Sequence, residues 1–226
     1  MIAGRAMTEH ADTSRSVKET AYELFQAALF DGKLKSGQLV SQKDLVKLMN
    51  LSIGALRELL PRLESEGLIT VVPQRGIQIT AIDLPMIRDA FQMRAALERE
   101  AVMHAVKKMP DSVLEEQRQA HLNIVKAVET GLSEAVLKRG QQIDTDFHNI
   151  LIRLTNNEIL IQAYNINAIR IRLIRHDRIS LTELLLPHTF TDHLAIIDAI
   201  AKRDTAAAIE AMDIHISHAR QRATEL

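Results

Sequence analysis

A change of hydrophobic period near Gly67 constrains the fold of this chain more than any other feature. Before Gly67, apolar residues recur every three or four positions, which is the spacing of amphipathic helices. After it, residues 68–72 are mostly β-branched, residues 73–76 have the composition of a turn, and residues 77–80 alternate between apolar and polar. The sequence therefore predicts several helices followed by a β-hairpin.

Serines mark the starts of the second and third of these helices. Ser41 precedes one helical pattern, and Asp44 lies at the spacing of an acidic capping-box partner. Ser52 precedes the next pattern, which contains Pro61, where we expect a bend or a missing backbone hydrogen bond. Three helices closed by a hairpin are typical of a winged helix-turn-helix domain.

The rest of the chain shows no strand pattern. Its apolar residues follow helical spacing in six stretches, predicted at 84–108, 112–130, 133–155, 157–180, 182–202 and 204–223. The connections are short, so neighbouring helices should be antiparallel. The sequence thus predicts a mainly α protein, with a flexible leader over 1–14, a winged helix-turn-helix over 15–80 and a six-helix antiparallel bundle over 81–226.

Composition excludes several classes of protein. Hydrophobic residues make up 46% and charged residues 25% of the 226 residues, as in globular proteins. The absence of cysteine excludes disulfides and thiolate metal sites, and is in keeping with a reducing cytoplasm. No apolar run approaches the roughly 20 residues of a membrane span, so we expect no membrane partner.

The predicted winged helix-turn-helix offers candidate DNA contacts. The second helix of such a motif enters the major groove, and here it begins at Ser52, which can cap the helix and reach a phosphate. Arg57 can touch a base edge or the backbone, and Lys43 suits a phosphate. Arg75, next to Gly76 at the wing tip, can enter the minor groove. Each charge alone would also fit an ordinary solvated surface, but the order of helices, caps and hairpin favours DNA binding.

This block resembles the GntR family of bacterial regulators. The resemblance lies in the stretch LSIGALRELLPRLESEGLITVVPQRGIQIT, which contains a Ser-led helix start, an Arg-Leu-x-x-x-Gly-Leu pattern and an Arg-Gly wing. The matching positions are Ser52, Arg57, Glu58, Leu60, Leu63, Glu66, Gly67, Leu68, Arg75 and Gly76.

Three positions depart from the family pattern. Ile53, Gly54 and Ala55 stand where the family usually has Arg, Thr and Pro. In the family, the Arg at the position of Ile53 recognises a guanine, and an isoleucine cannot donate that hydrogen bond. The resemblance therefore implies an atypical operator that depends more on Arg57, Lys43 and the wing. The expected DNA contacts are Lys43, Ser52, Gly54, Arg57, Arg75 and Gly76.

The helical part contains a candidate metal-binding set. Asp144 and His148 are four residues apart, on one face of a predicted helix. His193 and His215 lie on the last two predicted helices, which can bring both imidazoles to the same level by folding back near residues 202–204. An Asp/His₃ set suits zinc or another first-row divalent ion, nickel or manganese included. Since the chain has nine histidines, the spacing alone leaves coincidence open.

A second resemblance concerns these residues. The segment IDTDFHNILIRLTNNEIL, followed by TDHLAIIDAIAKRDTAAAIEAMDIHI, is similar to the FCD ligand-binding domain of FadR-like GntR regulators. Asp144, His148, His193 and His215 fall on the four metal positions of that domain, and residues 93–100 match its opening. Six helices rather than seven resemble the VanR-type branch.

The resemblance implies a small carboxylic acid bound over the metal, with arginines that hold its free carboxylate. In AIRIRLIRHDR, Arg172 or Arg175 is the expected effector contact, and a solvated or dimer-facing stripe is the alternative. Arg94 either pairs with Glu98, four residues on, or lines the effector pocket.

These patterns predict a cytoplasmic, ligand-responsive repressor, homodimeric on a palindromic DNA operator. Two alternatives remain: a regulator that senses the metal directly, and a helical-bundle metalloenzyme. The sequence offers no evident general base beside the four ligands, and an enzyme would not explain the N-terminal domain. We therefore expect no enzymatic activity.

Overall fold

The computed structural model describes residues 17–178 and 185–224. The predicted leader over 1–14 lies outside these residues, and so does the predicted break around Ser180. The chain divides into two compact units, Met1–Thr80 and Ala81–Leu226. None of the helices described is both long and apolar enough to cross a membrane.

The first unit has the predicted helices and hairpin. Its elements are α1 (Val17–Phe30), β1 (Leu39–Val40), α2 (Gln42–Met49), α3 (Ile53–Ser65), β2 (Ile69–Val72) and β3 (Gly76–Ile79). β3 is the central strand and runs antiparallel to both β1 and β2. The predicted hairpin is β2–β3. β1 is an addition to the prediction, because two residues are too short to show alternation.

Both predicted serine caps are present. The Ser41 hydroxyl oxygen accepts a hydrogen bond from the Asp44 N–H at 3.1 Å, and the hydroxyl donates to the Asp44 carboxylate at 2.7 Å. Ser52 accepts from the Ala55 N–H at 3.1 Å and so starts α3. A serine cap stabilises a helix by about 1 kcal/mol. Pro61 lies inside α3, and the helix continues past it to its end.

A buried carboxylate fixes α3 against α1. Glu66, directly after α3, accepts a hydrogen bond from the Tyr22 hydroxyl and another from Arg62 Nε at 3.0 Å. The Arg62 guanidinium also lies 3.7 Å from the centroid of the Tyr22 ring. Burial, together with the Glu66 carboxylate, raises the pKa of Tyr22 to about 12. These contacts set the orientation of α3 in the unit.

Gly76 allows β3 to pass close to β1. Its φ of +127° lies in the region that favours glycine. A Cβ at this position would lie 2.5 Å from the carbonyl oxygen of Val40. The start of β3, and with it the position of the wing turn at residues 73–75, therefore depends on the absence of a side chain here.

The second unit consists of helices in the described residues, as predicted. They are α4 (Leu84–Lys108), α5 (Asp111–Thr130), α6 (Glu134–Arg153), α7 (Glu158–Arg178), α8 (Leu185–Ala201) and α9 (Thr205–Thr224). The predicted limits agree with the structure within two residues, except those at 180 and 182, which lie outside the described residues. α4 contacts α6, α7, α8 and α9, and α8 contacts α4, α5, α6 and α9, so these two helices connect the others within the unit.

The turn between α8 and α9 is tied to the end of α4. Arg203 has a φ of +57° and lies at the predicted break. Its guanidinium donates to the carbonyls of Val106 at 3.1 Å and Met109 at 2.9 Å, and to the carboxylate of Asp111 at 2.5 Å. These bonds satisfy carbonyls that the end of a helix leaves without partners. They fix the start of α9 beside α4.

Candidate functional site

The three cations predicted to contact DNA are exposed and lie on three different elements of the first unit. Lys43 lies on α2, Arg57 on α3 and Arg75 in the wing turn. Among the residues that the structure describes, none of these three side chains forms an ion pair or a hydrogen bond. Their charges are therefore available to an anionic partner.

The other predicted DNA contacts lie around the start of α3 and the wing. Ser52 is exposed but uses its oxygen to cap α3. A Cβ on Gly54 would meet only the Ser52 oxygen, at 3.8 Å, so the backbone there is open to close approach. Ile53 is 46% exposed, which leaves an apolar side chain on the surface of the first turn. Gly76 has the packing role described above.

Three histidines from three helices of the second unit meet in its interior. His148 of α6, His193 of α8 and His215 of α9 are all buried, and one ring nitrogen of each lies within 4.8 Å of the others. The Nε2 atoms of His193 and His215 are 3.4 Å apart. The structure thus brings together the three predicted imidazole ligands.

Asp144, the fourth predicted ligand, lies beside this cluster. Its Oδ1 is 3.7 Å from His193 Nε2, and its Oδ2 accepts a hydrogen bond from Arg175 Nη1 at 2.6 Å. Burial by itself would raise the pKa of Asp144. The positive charge of Arg175, with smaller contributions from neighbouring groups, instead holds that pKa well below its usual range. The carboxylate is therefore charged.

Arg94 forms the ion pair with Glu98 that was one of its two predicted roles, and it also contacts the histidine cluster. Its Nε donates to Glu98 at 2.7 Å, and its Nη2 lies 2.7 Å from Nε2 of His148 and 3.3 Å from Nε2 of His215. Because a guanidinium can only donate, the two imidazole nitrogens must accept. Their lone pairs are therefore directed at Nη2 of Arg94, and a metal ion held by these nitrogens would have to replace that contact.

Each imidazole of the cluster has a polar neighbour at its other nitrogen, Nδ1, but among the described residues only Nδ1 of His193 forms a hydrogen bond there. His148 Nδ1 lies 2.5 Å from a Glu98 oxygen, and His215 Nδ1 lies 3.7 Å from an Asp192 oxygen. The partner of His193 is a fourth histidine, His121, at 3.0 Å. Outer partners of this kind orient metal-binding histidines and fix their tautomers.

Burial sets the charge of these groups. It lowers the pKa of His215 to about 4 and that of His193 well below its usual value, so both rings are neutral at neutral pH. Burial also opposes ionisation of Glu98, but Arg94 and His148 overcome it and lower the Glu98 pKa to about 2.

The donor set fits a first-row divalent metal ion. Imidazole nitrogens from three histidines and one charged carboxylate are the donors that such ions take in four-coordinate sites.

Two predicted effector residues lie at this site, and a third is placed differently. Arg94 and Arg175 contact the cluster as described. Arg172, also on α7, is exposed.

Sequence reasoning missed the outer partners His121 and Asp192, and the contact of Glu98 with His148. A signal for His121 exists, because the buried face of α5 includes two polar residues, Gln117 and His121, within an otherwise apolar stripe. Asp192 carries no comparable signal.

Known families match both units. The family described as "Bacterial regulatory proteins, gntR family" matches residues 17–79, and the FCD domain matches residues 89–218. The two matches follow the order of the first unit, the winged unit, and the second unit, the helical unit. Both names agree with the resemblances found in the sequence.

Individual proteins agree with the family matches. The transcriptional repressor RspR of Escherichia coli is 24% identical over 207 residues, covering 90% of this chain and 87% of that protein. The Escherichia coli repressor GlaR is 26% identical over 200 residues, covering 86% and 90%. The solved structure of Escherichia coli McbR/YncC has a TM-score of 0.70 at 20% identity, covering 90% of this chain and 95% of that one, and so shares its fold. The chain therefore belongs to the GntR family of DNA-binding transcriptional regulators, carries an FCD domain, and is a regulator rather than an enzyme.

Proposed function

We propose that this protein is a metal-dependent, ligand-responsive repressor that a small carboxylic acid releases from a palindromic operator. The observation that carries the proposal is that three buried imidazoles meet one another beside a charged carboxylate, and that two arginines contact this group. The naming of RspR and GlaR as repressors supports repression as the mode of control. A homodimer would present two winged units to the two halves of the operator, in the cytoplasm.

The winged unit would bind DNA chiefly through its exposed cations. Lys43 would neutralise a phosphate, Arg57 would contact a base edge or the backbone, and Arg75 would enter the minor groove. Ser52 and the open backbone at Gly54 would allow close contact with a phosphate. Ile53 can contribute only apolar contact, for instance with a thymine methyl group.

Fluorescence anisotropy on the DNA upstream of the protein's own gene tests this interface. Arg57→Ala should weaken binding by about 1–3 kcal/mol, and wild-type affinity should fall steeply with added salt. The control is Arg99→Ala, which removes an exposed arginine from α4 of the helical unit. Unchanged binding by Arg57→Ala, or binding without sequence preference, would contradict the proposal.

The metal, zinc in our proposal and nickel or manganese otherwise, would be held by Asp144, His148, His193 and His215. When bound, it supplies a positive charge that anchors one oxygen of an effector carboxylate. Of the two arginines at the cluster, Arg175 retains 26% side-chain exposure, whereas Arg94 is buried. We therefore propose that the effector enters on the α7 side, where Arg175, with Arg172 as the further candidate, holds its carboxylate.

Elemental analysis of the purified protein tests the metal site. Wild type should contain about one equivalent of divalent metal per chain, and His148→Ala/His193→Ala should contain none. His188→Ala is the matched control, because His188 is exposed although it lies on the same helix as His193. Equal metal content in wild type and the double variant would remove the site.

The effector is tested by DNA release. Small mono- and dicarboxylic acids should release the operator from metal-loaded wild type but not from Arg175→Ala. If the metal alone switches DNA binding, and no acid changes it, the protein senses the metal directly and the organic-acid proposal fails.

A further inference from the structure

A buried chain of hydrogen bonds leads from the backbone of α5 to one imidazole of the histidine cluster. His121 Nδ1 lies 2.6 Å from the carbonyl oxygen of Gln117, one turn earlier on the same helix. His121 Nε2 lies 3.0 Å from Nδ1 of His193. Both histidine side chains are fully buried. His121 is not one of the four metal positions.

The first of these bonds fixes the proton on His121. A carbonyl oxygen can only accept, so Nδ1 of His121 carries the hydrogen. The ring packs against Phe147 and Phe190, with centroids 5.1 Å and 4.9 Å away, and no carboxylate of the described residues lies within ion-pair distance of it. An imidazole in such apolar surroundings is neutral. Its Nε2 is therefore an acceptor.

The second bond transfers this constraint to His193. If His121 Nε2 accepts, His193 Nδ1 must donate and so must carry the proton of its ring. The other nitrogen of His193, Nε2, then has a free lone pair, and this is the atom that faces His215 and Asp144. The opposite tautomer would point an N–H at the cluster.

We propose that His121 is a positioning residue that sets the tautomer of His193, so that His193 offers a lone pair to the metal before the metal arrives. This inference rests on the proposed metal site. It assigns a task to α5, a helix that supplies no ligand. His148 and His215 face carboxylates at the same outer position, whereas His193 faces a neutral ring whose direction of donation is set by a backbone carbonyl.

Two substitutions separate this role from packing. In His121→Gln, the side-chain amide oxygen reaches about as far as the original Nε2 and can accept from His193. In His121→Phe, the aromatic ring and its contacts with Phe147 and Phe190 are kept, but the acceptor is lost. If His121 acts only through packing, His121→Phe should bind zinc more tightly than His121→Gln. If it sets the tautomer of His193, His121→Gln should bind zinc more tightly than His121→Phe.

The first measurement needs no metal. Long-range ¹H–¹⁵N spectra of metal-free protein with ¹⁵N-labelled histidine should show His193 as the Nδ1–H tautomer in wild type and in His121→Gln. In His121→Phe, the Nε2–H form should become substantially populated. An Nε2–H tautomer in wild type, or the same tautomer in all three proteins, would overturn the inference whether or not the protein binds metal.

The second measurement is zinc affinity in competition with a chromophoric chelator. His121→Phe should bind zinc about 10–100-fold more weakly than wild type, the range for loss of an outer partner. His121→Gln should recover most of that loss. The control is His104→Phe, which removes a half-buried histidine paired with Glu100 on α4 and should leave affinity unchanged.

The outcomes of the zinc titration distinguish the two proposals. Tight binding by wild type with equal affinity in His121→Phe, or weaker binding by Gln than by Phe, overturns the role of His121 and leaves the metal site standing. No zinc binding by wild type overturns the metal site, and the tautomer spectra then decide on His121 alone.

Discussion

The two units of this regulator expose their functional groups in opposite ways. In the winged unit, Lys43, Arg57 and Arg75 are exposed and have no side-chain partner among the described residues. In the helical unit, the candidate ligands are at most 4% exposed, and each contacts further polar groups.

The difference follows from the dielectric surroundings of each site. A solvated cation needs no internal partner, and its interaction with phosphates weakens with salt. A buried charge or imidazole without a partner costs several kcal/mol, so the helical unit surrounds its cluster with further polar and charged groups. Single substitutions should therefore reduce stability little at the DNA-binding surface and strongly at the histidine cluster.

Removal of the metal should produce the largest loss of stability, and this loss should be confined to the helical unit. At free metal about 1,000 times its dissociation constant, binding adds about 4 kcal/mol of stability, which a chelator should remove. Hydrogen exchange should show faster exchange in α6, α8 and α9, with α1, α2 and α3 unchanged. His148→Ala/His193→Ala is the control and should show no response to chelator. If the chelator speeds hydrogen exchange equally in both units, the metal does not act on the helical unit alone and the difference between the units is refuted.

Acid should also destabilise the two units differently in metal-free protein. Burial lowers the pKa of His215 from 6.5 to about 4 in the folded state. The unfolded chain therefore binds a proton that the fold excludes, so stability is full above pH 6.5 and declines as the pH falls toward 4. We expect a loss of about 3 kcal/mol, since one pKa unit corresponds to about 1.4 kcal/mol.

Denaturant unfolding of the metal-free protein between pH 7.5 and 4.5 measures this loss. His215→Gln should reduce the dependence in the helical unit, and His193, whose pKa burial also lowers, accounts for what is left. His104→Gln, the half-buried control, should leave the dependence as in wild type. A slope that is unaffected by His215→Gln would show that other groups govern the acid response. Glu98, with its pKa lowered to about 2, contributes below this range.

The contrast between the units also explains what could be predicted from the sequence. Helix starts at Ser41 and Ser52 depend on groups three residues apart, so local patterns predict them. The contact between His121 and His193 joins residues 72 apart, and that between Tyr22 and Glu66 joins residues 44 apart. Local periodicity shows which residues face inward but not which of them meet.

The metal set shows the same limit. Spacing alone placed Asp144 and His148 on one face of a helix but did not decide whether His193 and His215 belong to the same site. The family pattern was needed to assign all four residues to one metal site. The VanR-type branch, the effector contacts and the identity of the metal remain predictions.

A smaller effect is expected from Gly76→Ala in the winged unit. The new Cβ would lie 2.5 Å from the Val40 carbonyl oxygen and would require an unfavourable φ of +127°. We expect a loss of about 2 kcal/mol in the stability of that unit. Gly131→Ala is the control, because it has a φ of +138° but no atom within 4 Å of the added Cβ. If both variants lose the same stability, backbone strain alone accounts for the effect and the contact with β1 does not matter.

The smallest expected effect, at Gly54, separates stability from function in the exposed unit. The added Cβ of Gly54→Ala would meet only the Ser52 oxygen, at 3.8 Å, and alanine favours helix over glycine by about 0.5–1 kcal/mol. The winged unit should therefore become slightly more stable by denaturant unfolding. If Gly54 allows the start of α3 to approach a phosphate closely, operator affinity should fall at the same time. A gain in stability with unchanged affinity would mean that DNA does not approach this backbone, and that Arg57, Lys43 and the wing carry the contact without it.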